Sequence, residues 1–228
     1  PRDFASIRRS VAFGGDVVGS TLAWYAYSNA DFVIVGRLFD KAATGAYTMA
    51  WNTASVPVEK VATLVSRVAP SVFAAVQRDR VALRRYFVGL LEALALVASP
   101  MSVGLALVAA DFVPAILGDQ WDAAIGPLRL LAVFAGLKSL FALPQIVLVA
   151  TGHTRQARNF SIIAAVVVPI CLLVGSRWGM NGVAAAWLVA LPICVIPLDF
   201  RYCLRLVDLR ALTLLRALWP PVAGSAVM

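Results

Sequence analysis

The stretch YFVGLLEALALVASPMSVGLALVAA, Tyr86 to Ala110, runs 25 residues with one charge, Glu92. As a helix it would rise about 37 Å, enough to cross a hydrocarbon layer of about 30 Å. The stretch therefore reads as a membrane span. Working outward, the pattern recurs at Val11–Leu38, Ala42–Val76, Ala123–Ala150, Phe160–Ser176, Asn181–Phe200 and Ala211–Met228. Each segment is bounded by charge or by Gly and Pro. Ala42–Val76 is over-long for one crossing and is expected to project from the bilayer or to bend, with Pro57 and Pro70 as bend points. The fold class this predicts is all-α, a polytopic membrane helix bundle of six spans plus a truncated seventh. Residues 1–210 form a six-helix lobe and residues 211–228 begin a further helix. The chain opens on Pro1 and closes inside an apolar stretch, so it is expected to be part of a longer protein.

Composition agrees with that pattern. Of the 228 residues, 61% are hydrophobic and 14% charged, against about 25% charged in ordinary soluble domains. The net charge of +8 would suggest nucleic acid in a soluble protein, but here no nucleic-acid partner is expected, because the cations fall in short loops between spans. With the N-terminus inside, the inner segments hold thirteen cations: Arg2, Arg8, Arg9, Arg78, Arg80, Arg84, Arg85, Arg155, Arg158, Arg201, Arg205, Arg210 and Arg216. The outer connections hold three, Arg37, Lys41 and Arg177. This is the bias that fixes membrane orientation. The outer loop DFVPAILGDQWDAA is acidic, and its Trp121 is placed to anchor at the interface.

Four cations remain inside predicted spans: Lys60, Arg67, Arg129 and Lys138. A charge near the bilayer centre costs about 2.5–3.5 kcal/mol on insertion scales, so such residues face a bundle interior or an aqueous cavity. Thr53, Lys60 and Arg67 are seven apart and share one helical stripe. Lys138 and Gln145 align on the fourth span, with Phe134 and Phe141 beside them, whereas Arg129 points the other way. On the first span Asp16, Ser20, Tyr27 and Asp31 form a polar stripe. These stripes outline a substrate cavity of Asp16, Asp31, Thr53, Lys60, Arg67, Lys138 and Gln145, suited by its cations to a phosphate-bearing headgroup. The alternative is that Asp16 or Asp31 pairs with Lys60 or Arg67 only to tie two helices together.

No catalytic residue, cofactor or metal is expected. The sequence has no Walker-type Gly-rich loop and no HExxH, and its one histidine, His153, sits in the loop TGHTR. Its three cysteines, Cys171, Cys194 and Cys203, suggest neither a disulfide framework nor a zinc site. An enzyme is therefore not the expected reading.

Several stretches resemble the Wzx-like oligosaccharide flippases of the multidrug/oligosaccharidyl-lipid/polysaccharide exporter superfamily. They are NADFVIVGRLFDKAATGAYTMAW (Asn29–Trp51), SRVAPSVFAAVQRD (Ser66–Asp79), ILGDQWDAAIGPLRLLA (Ile116–Ala132), TGHTR and GMNGVAAAWL. The resemblance implies one lobe of a two-lobe transporter in the bacterial inner membrane, its N-terminal lobe lying upstream. It also implies that the cargo is a polyprenyl-pyrophosphate-linked oligosaccharide, flipped by alternating access for surface polysaccharide synthesis, with membrane lipid as the other partner. Lys60 and Lys138 rest on spacing and not on this resemblance. Two alternatives stand beside it: an ion-coupled exporter of small organic cations on the same fold, and a membrane transferase or polymerase of the same pathway.

Overall fold

The computed structural model describes residues 4–195, 201–209 and 224. The described residues contain helices and turns and no strand. Eight α-helices follow in order: α1 Phe4–Ser28, α2 Ala30–Leu38, α3 Lys41–Val76, α4 Arg80–Phe112, α5 Ile125–Ala150, α6 Thr154–Gly175, α7 Gly179–Val195 and α8 Arg201–Leu206. The end of the expected sixth span, 196–200, and all of the expected seventh except residue 224 lie outside the described residues.

Among the described residues three helical stretches are long and apolar enough to cross a membrane: Arg80–Leu117, Asp119–Ala150 and Thr154–Ile193, the last containing α6 and most of α7. Their outward faces carry Leu96, Leu107, Val166, Ile170 and Val189, each more than half exposed. An apolar face of that extent needs lipid rather than water around it. The chain is an all-α, multi-pass membrane bundle.

The helix ends follow from local chemistry. Asp40 caps α3 by accepting from the Ala43 N–H at 2.7 Å, and Asp79 caps α4 by accepting from the Val81 and Ala82 N–H groups. The sequence predicts one continuous first span, but the structure divides it at Asn29. That side chain donates to the Tyr25 carbonyl at 2.9 Å, a local bond that competes with helix propagation. The predicted bends at Pro57 and Pro70 do not interrupt α3, which runs 36 residues, about 54 Å. Between α4 and α5 the acidic loop is itself wound, as a π-turn over Val113–Leu117 and a 3₁₀ stretch over Asp119–Ala124. Gly118, at φ 95°, makes the turn between them. Trp121 packs over Gly45 of α3 and is half-buried.

Lipid gives helices no hydrophobic reason to associate, so close approach of small residues has to do it. At the centre Val58, Ala98 and Ala135 join α3, α4 and α5, and a Cβ on Gly136 would run into the Ser102 side chain. At one end of the bundle α8, in a stretch expected to be loop, folds back so that Cys203, Val207 and Leu209 join Phe73, Phe87 and Leu143. The tightest crossing is α6 on α7, where a Cβ on Gly175 would lie 2.5 Å from the Gly182 carbonyl oxygen and 2.8 Å from the Ala186 Cβ. Replacing Gly182 with valine should therefore push α7 off α6, lowering stability by about 1–3 kcal/mol. Thermal melting of the purified full-length protein in detergent would check this, with an unchanged Tm counting against the packing described.

Candidate functional site

The helices enclose a cleft of about 380 Å³ between α1, α3, α5, α6 and α7. Its wall is aromatic: Trp51, Phe134 and Trp187 form a triangle with ring centroids 4.9–5.9 Å apart, and Trp24, Tyr27, Phe141 and Phe160 extend it. A smaller cavity of about 100 Å³ adjoins it between α3 and α5, sharing Trp51, Phe134 and Lys138. Among the described lining residues of both cavities the charged ones are Glu59 and Lys138, and Lys138 alone lines the larger.

Lys138 stands at the boundary between the two. Its ammonium donates to Glu59 Oε1 at 3.2 Å and lies 5.4 Å from the centre of the Trp51 ring. The face of an indole attracts a cation, so Trp51 holds the lysine from below. Gln145, two turns along α5, lines the larger cavity with Phe134 and Phe141, as their spacing predicts. Ser20 and Tyr27 line it from α1.

The α3 stripe falls elsewhere. Lys60 and Arg67 are exposed, Thr53 is half-buried, and none of the three lines either cavity. The cavity-facing residues of α3 are Trp51, Ala54, Ser55, Val58, Glu59 and Ala62, about 170° round the helix from the predicted stripe and so on its opposite face. The cations Lys60 and Arg67 mark the face of α3 that lies opposite the cavity wall. The small and apolar residues Trp51, Ala54, Val58 and Ala62, at helical spacing, mark the wall itself.

The two aspartates also take partners other than those expected. Asp16, on α1, pairs with Arg158 of α6 rather than with α3. Asp31 is fully buried, and its Oδ2 accepts from the Tyr47 hydroxyl at 2.9 Å and the Trp187 indole N–H at 3.2 Å. Its Oδ1 has no hydrogen-bond partner among the described residues. Neither hydrogen-bond partner of Asp31 is a cation, and both donors are fully or almost fully buried. Sequence spacing could not show this, because Tyr47 and Trp187 lie on different helices and neither is charged. Just past the break at Asn29, Asp31 lies in the first turn of α2, buried and bonded to the Trp187 indole. Asp31 is thus a prop for the aromatic wall, linking α2, α3 and α7. Two stretches far apart in the chain meet here: Asn29–Trp51, which holds Asp31 and Tyr47, and GMNGVAAAWL, which holds Trp187.

His153 sits at the start of α6, its Nδ1 3.0 Å from the Thr151 hydroxyl. Among the described residues no group of three or more His, Cys, Asp or Glu side chains converges as metal ligands would.

Comparison with known proteins gives the site its context. Residues 1–126 match the sequence profile of a family described as polysaccharide biosynthesis protein. The teichuronic acid biosynthesis protein TuaB of Bacillus subtilis (strain 168) is 31% identical over 155 residues, which is 68% of this chain and 32% of TuaB. The lipopolysaccharide biosynthesis protein WzxC of Escherichia coli (strain K12) is 27% identical over 186 residues, covering 81% of this chain and 38% of WzxC. The amylovoran biosynthesis protein AmsL of Erwinia amylovora is 23% identical over 176 residues, 77% of this chain and 45% of AmsL. The matches thus span between 32% and 45% of the length of these relatives. No solved structure matches the chain.

Proposed function

This chain belongs to the polysaccharide biosynthesis protein family, and from that membership we propose that it is one lobe of a flippase for lipid-linked oligosaccharide. The cargo is a polyprenyl-pyrophosphate-linked saccharide, carried from the inner to the outer leaflet of the bacterial inner membrane. The observation that supports this reading is the larger cavity, an aromatic wall beside a single lining cation, Lys138. Sugar rings have apolar faces that lie flat on indole and phenyl rings, and a pyrophosphate is a multiple acceptor for an ammonium. The prenyl tail stays in lipid while the cavity shelters the polar head.

The exposed cations of α3 take a complementary place in the proposal. Lys60 and Arg67 stand with half-buried Thr53 on one stripe, and exposed charge on a membrane helix requires water or a headgroup. We assign that stripe to the aqueous passage between this lobe and a second lobe of the full-length protein. Rocking of the two lobes would open the passage alternately to each side. The Asp16–Arg158 pair ties α1 to α6 beside the cavity, where it would hold the inner end closed. No bond of the cargo is made or broken in this scheme, so the protein acts as a transporter and not as an enzyme. An exporter of organic cations would place a carboxylate in the larger cavity, where the charged lining residue is a lysine.

The test is reconstitution of the purified full-length protein in vesicles loaded with labelled lipid-linked oligosaccharide on the inner leaflet. The expected result is time-dependent exposure of the sugar to an external lectin. Exposure no faster than in protein-free vesicles would overturn the proposal.

A further inference from the structure

Lys138 faces two cavities, yet its carboxylate partner lines one of them. We infer that Lys138 and Glu59 form an exchangeable counter-ion pair, in which an incoming phosphate or pyrophosphate ester takes the ammonium from Glu59. The inference rests on reading the larger cavity as the site of a phosphate-bearing substrate.

Three features separate this pair from a simple interhelical tie. First, a tie that holds two helices is expected to be buried and saturated, whereas the Lys138 and Glu59 side chains are 33% and 55% exposed. A pair so exposed is weak and easily opened. Second, the ammonium has three donors, and Glu59 takes one of them through Oε1 at 3.2 Å. The others remain for a ligand in the larger cavity. Third, Trp51 holds the lysine by its ring face at 5.4 Å, so the ammonium keeps its place when the carboxylate leaves.

The charges balance in both states. In the empty cavity Glu59 neutralises Lys138, sparing the membrane interior an unpaired cation. When a phosphate group enters, it becomes the counter-ion, and Glu59 is left half-exposed beside the smaller cavity, where it stays solvated. Because Glu59 lies on α3 and Lys138 on α5, the exchange uncouples the two helices electrostatically as cargo binds. Substrate binding would thereby loosen the contact that the empty lobe keeps, which is a route from cavity to lobe movement.

Isothermal titration of the purified full-length protein with inorganic pyrophosphate tests the exchange. Removing the internal competitor with Glu59→Gln is expected to tighten binding about fivefold, a gain of the size a half-exposed pair can withhold. Glu59→Ala should do the same, and Lys138→Gln should abolish binding. Binding by Glu59→Gln when the wild type shows none would also support the exchange, because the carboxylate would then mask the site completely. Equal or weaker binding by both Glu59 variants would overturn it, as would absence of binding in all of them. Titration with farnesyl pyrophosphate, which carries the same group on a prenyl chain, distinguishes the source. Tighter binding of the prenyl compound assigns a lipid-borne ligand, and equal affinity a free anion. The flipping assay fails independently: a protein that shows the exchange but moves no lipid would overturn the flippase reading and leave the exchange standing.

Discussion

Replacing Lys138 with methionine is expected to slow flipping of lipid-linked oligosaccharide by roughly ten- to a hundredfold. A hydrogen bond from a charged donor contributes about 1.5–3 kcal/mol, and 1.4 kcal/mol is a factor of ten. Lys138 is the described charged residue on the wall of the larger cavity, so no neighbouring cation there can take its place. Methionine keeps the unbranched stem and its contact with Trp51, which confines the change to the charge. Charge reversal at Lys60, on the exposed stripe of α3, should have a smaller effect, because Arg67 shares that stripe. Initial rates in proteoliposomes at matched protein levels would measure both. A Lys138→Met protein that flips at the wild-type rate would remove the cavity from the mechanism.

The second large effect is on stability. Asp31→Ala should destabilise the lobe by about 2–5 kcal/mol, since it strands two buried donors at about 1–3 kcal/mol each. Those donors are the Tyr47 hydroxyl and the Trp187 indole N–H, which share Asp31 Oδ2. Asp31→Asn should cost less, because the amide oxygen can keep both bonds while its nitrogen occupies the place of Oδ1. Loss of the prop would also free the Trp187 ring, 4.9 Å from Phe134 in the cavity wall. The order expected in detergent melting is therefore wild type above Asn above Ala. Equal Tm values for wild type and Asp31→Ala would show that the carboxylate holds nothing together.

The two predictions concern residues that the sequence singled out for different reasons, and their fates differ instructively. Long apolar segments, bounded by arginines, were enough to define an all-α membrane bundle, because length and hydropathy directly express the bilayer's thickness. The pairing of Lys138 with Gln145, Phe134 and Phe141 on one face was equally legible, since α5 is an uninterrupted helix. Spacing within one helix carries no information about which helix lies opposite. Hence Asp16 met Arg158, which had been assigned to an inner loop, rather than Lys60 or Arg67, and Lys138 met Glu59 of α3. The division at Asn29 was hidden for another reason: Ser28–Asp31 is a polar step inside a longer apolar run, and nothing in its hydropathy shows that the Asn29 side chain bonds back to the Tyr25 carbonyl. The Asp31 site needed three helices to be brought together before its purpose could be seen. Its residues are nonetheless all present in the motifs that carried the family resemblance.

If the protein moves lipid-linked oligosaccharide across the membrane as proposed, its loss should change the leaflet on which that lipid accumulates. Cells lacking the full-length gene can be converted to spheroplasts and treated with an external lectin or glycosidase. The expected result is that lipid-linked oligosaccharide builds up on the cytoplasmic leaflet, inaccessible from outside, and becomes accessible when the wild-type gene is restored but not when Lys138→Met is. Accessible oligosaccharide at wild-type levels in the deletion strain would contradict it.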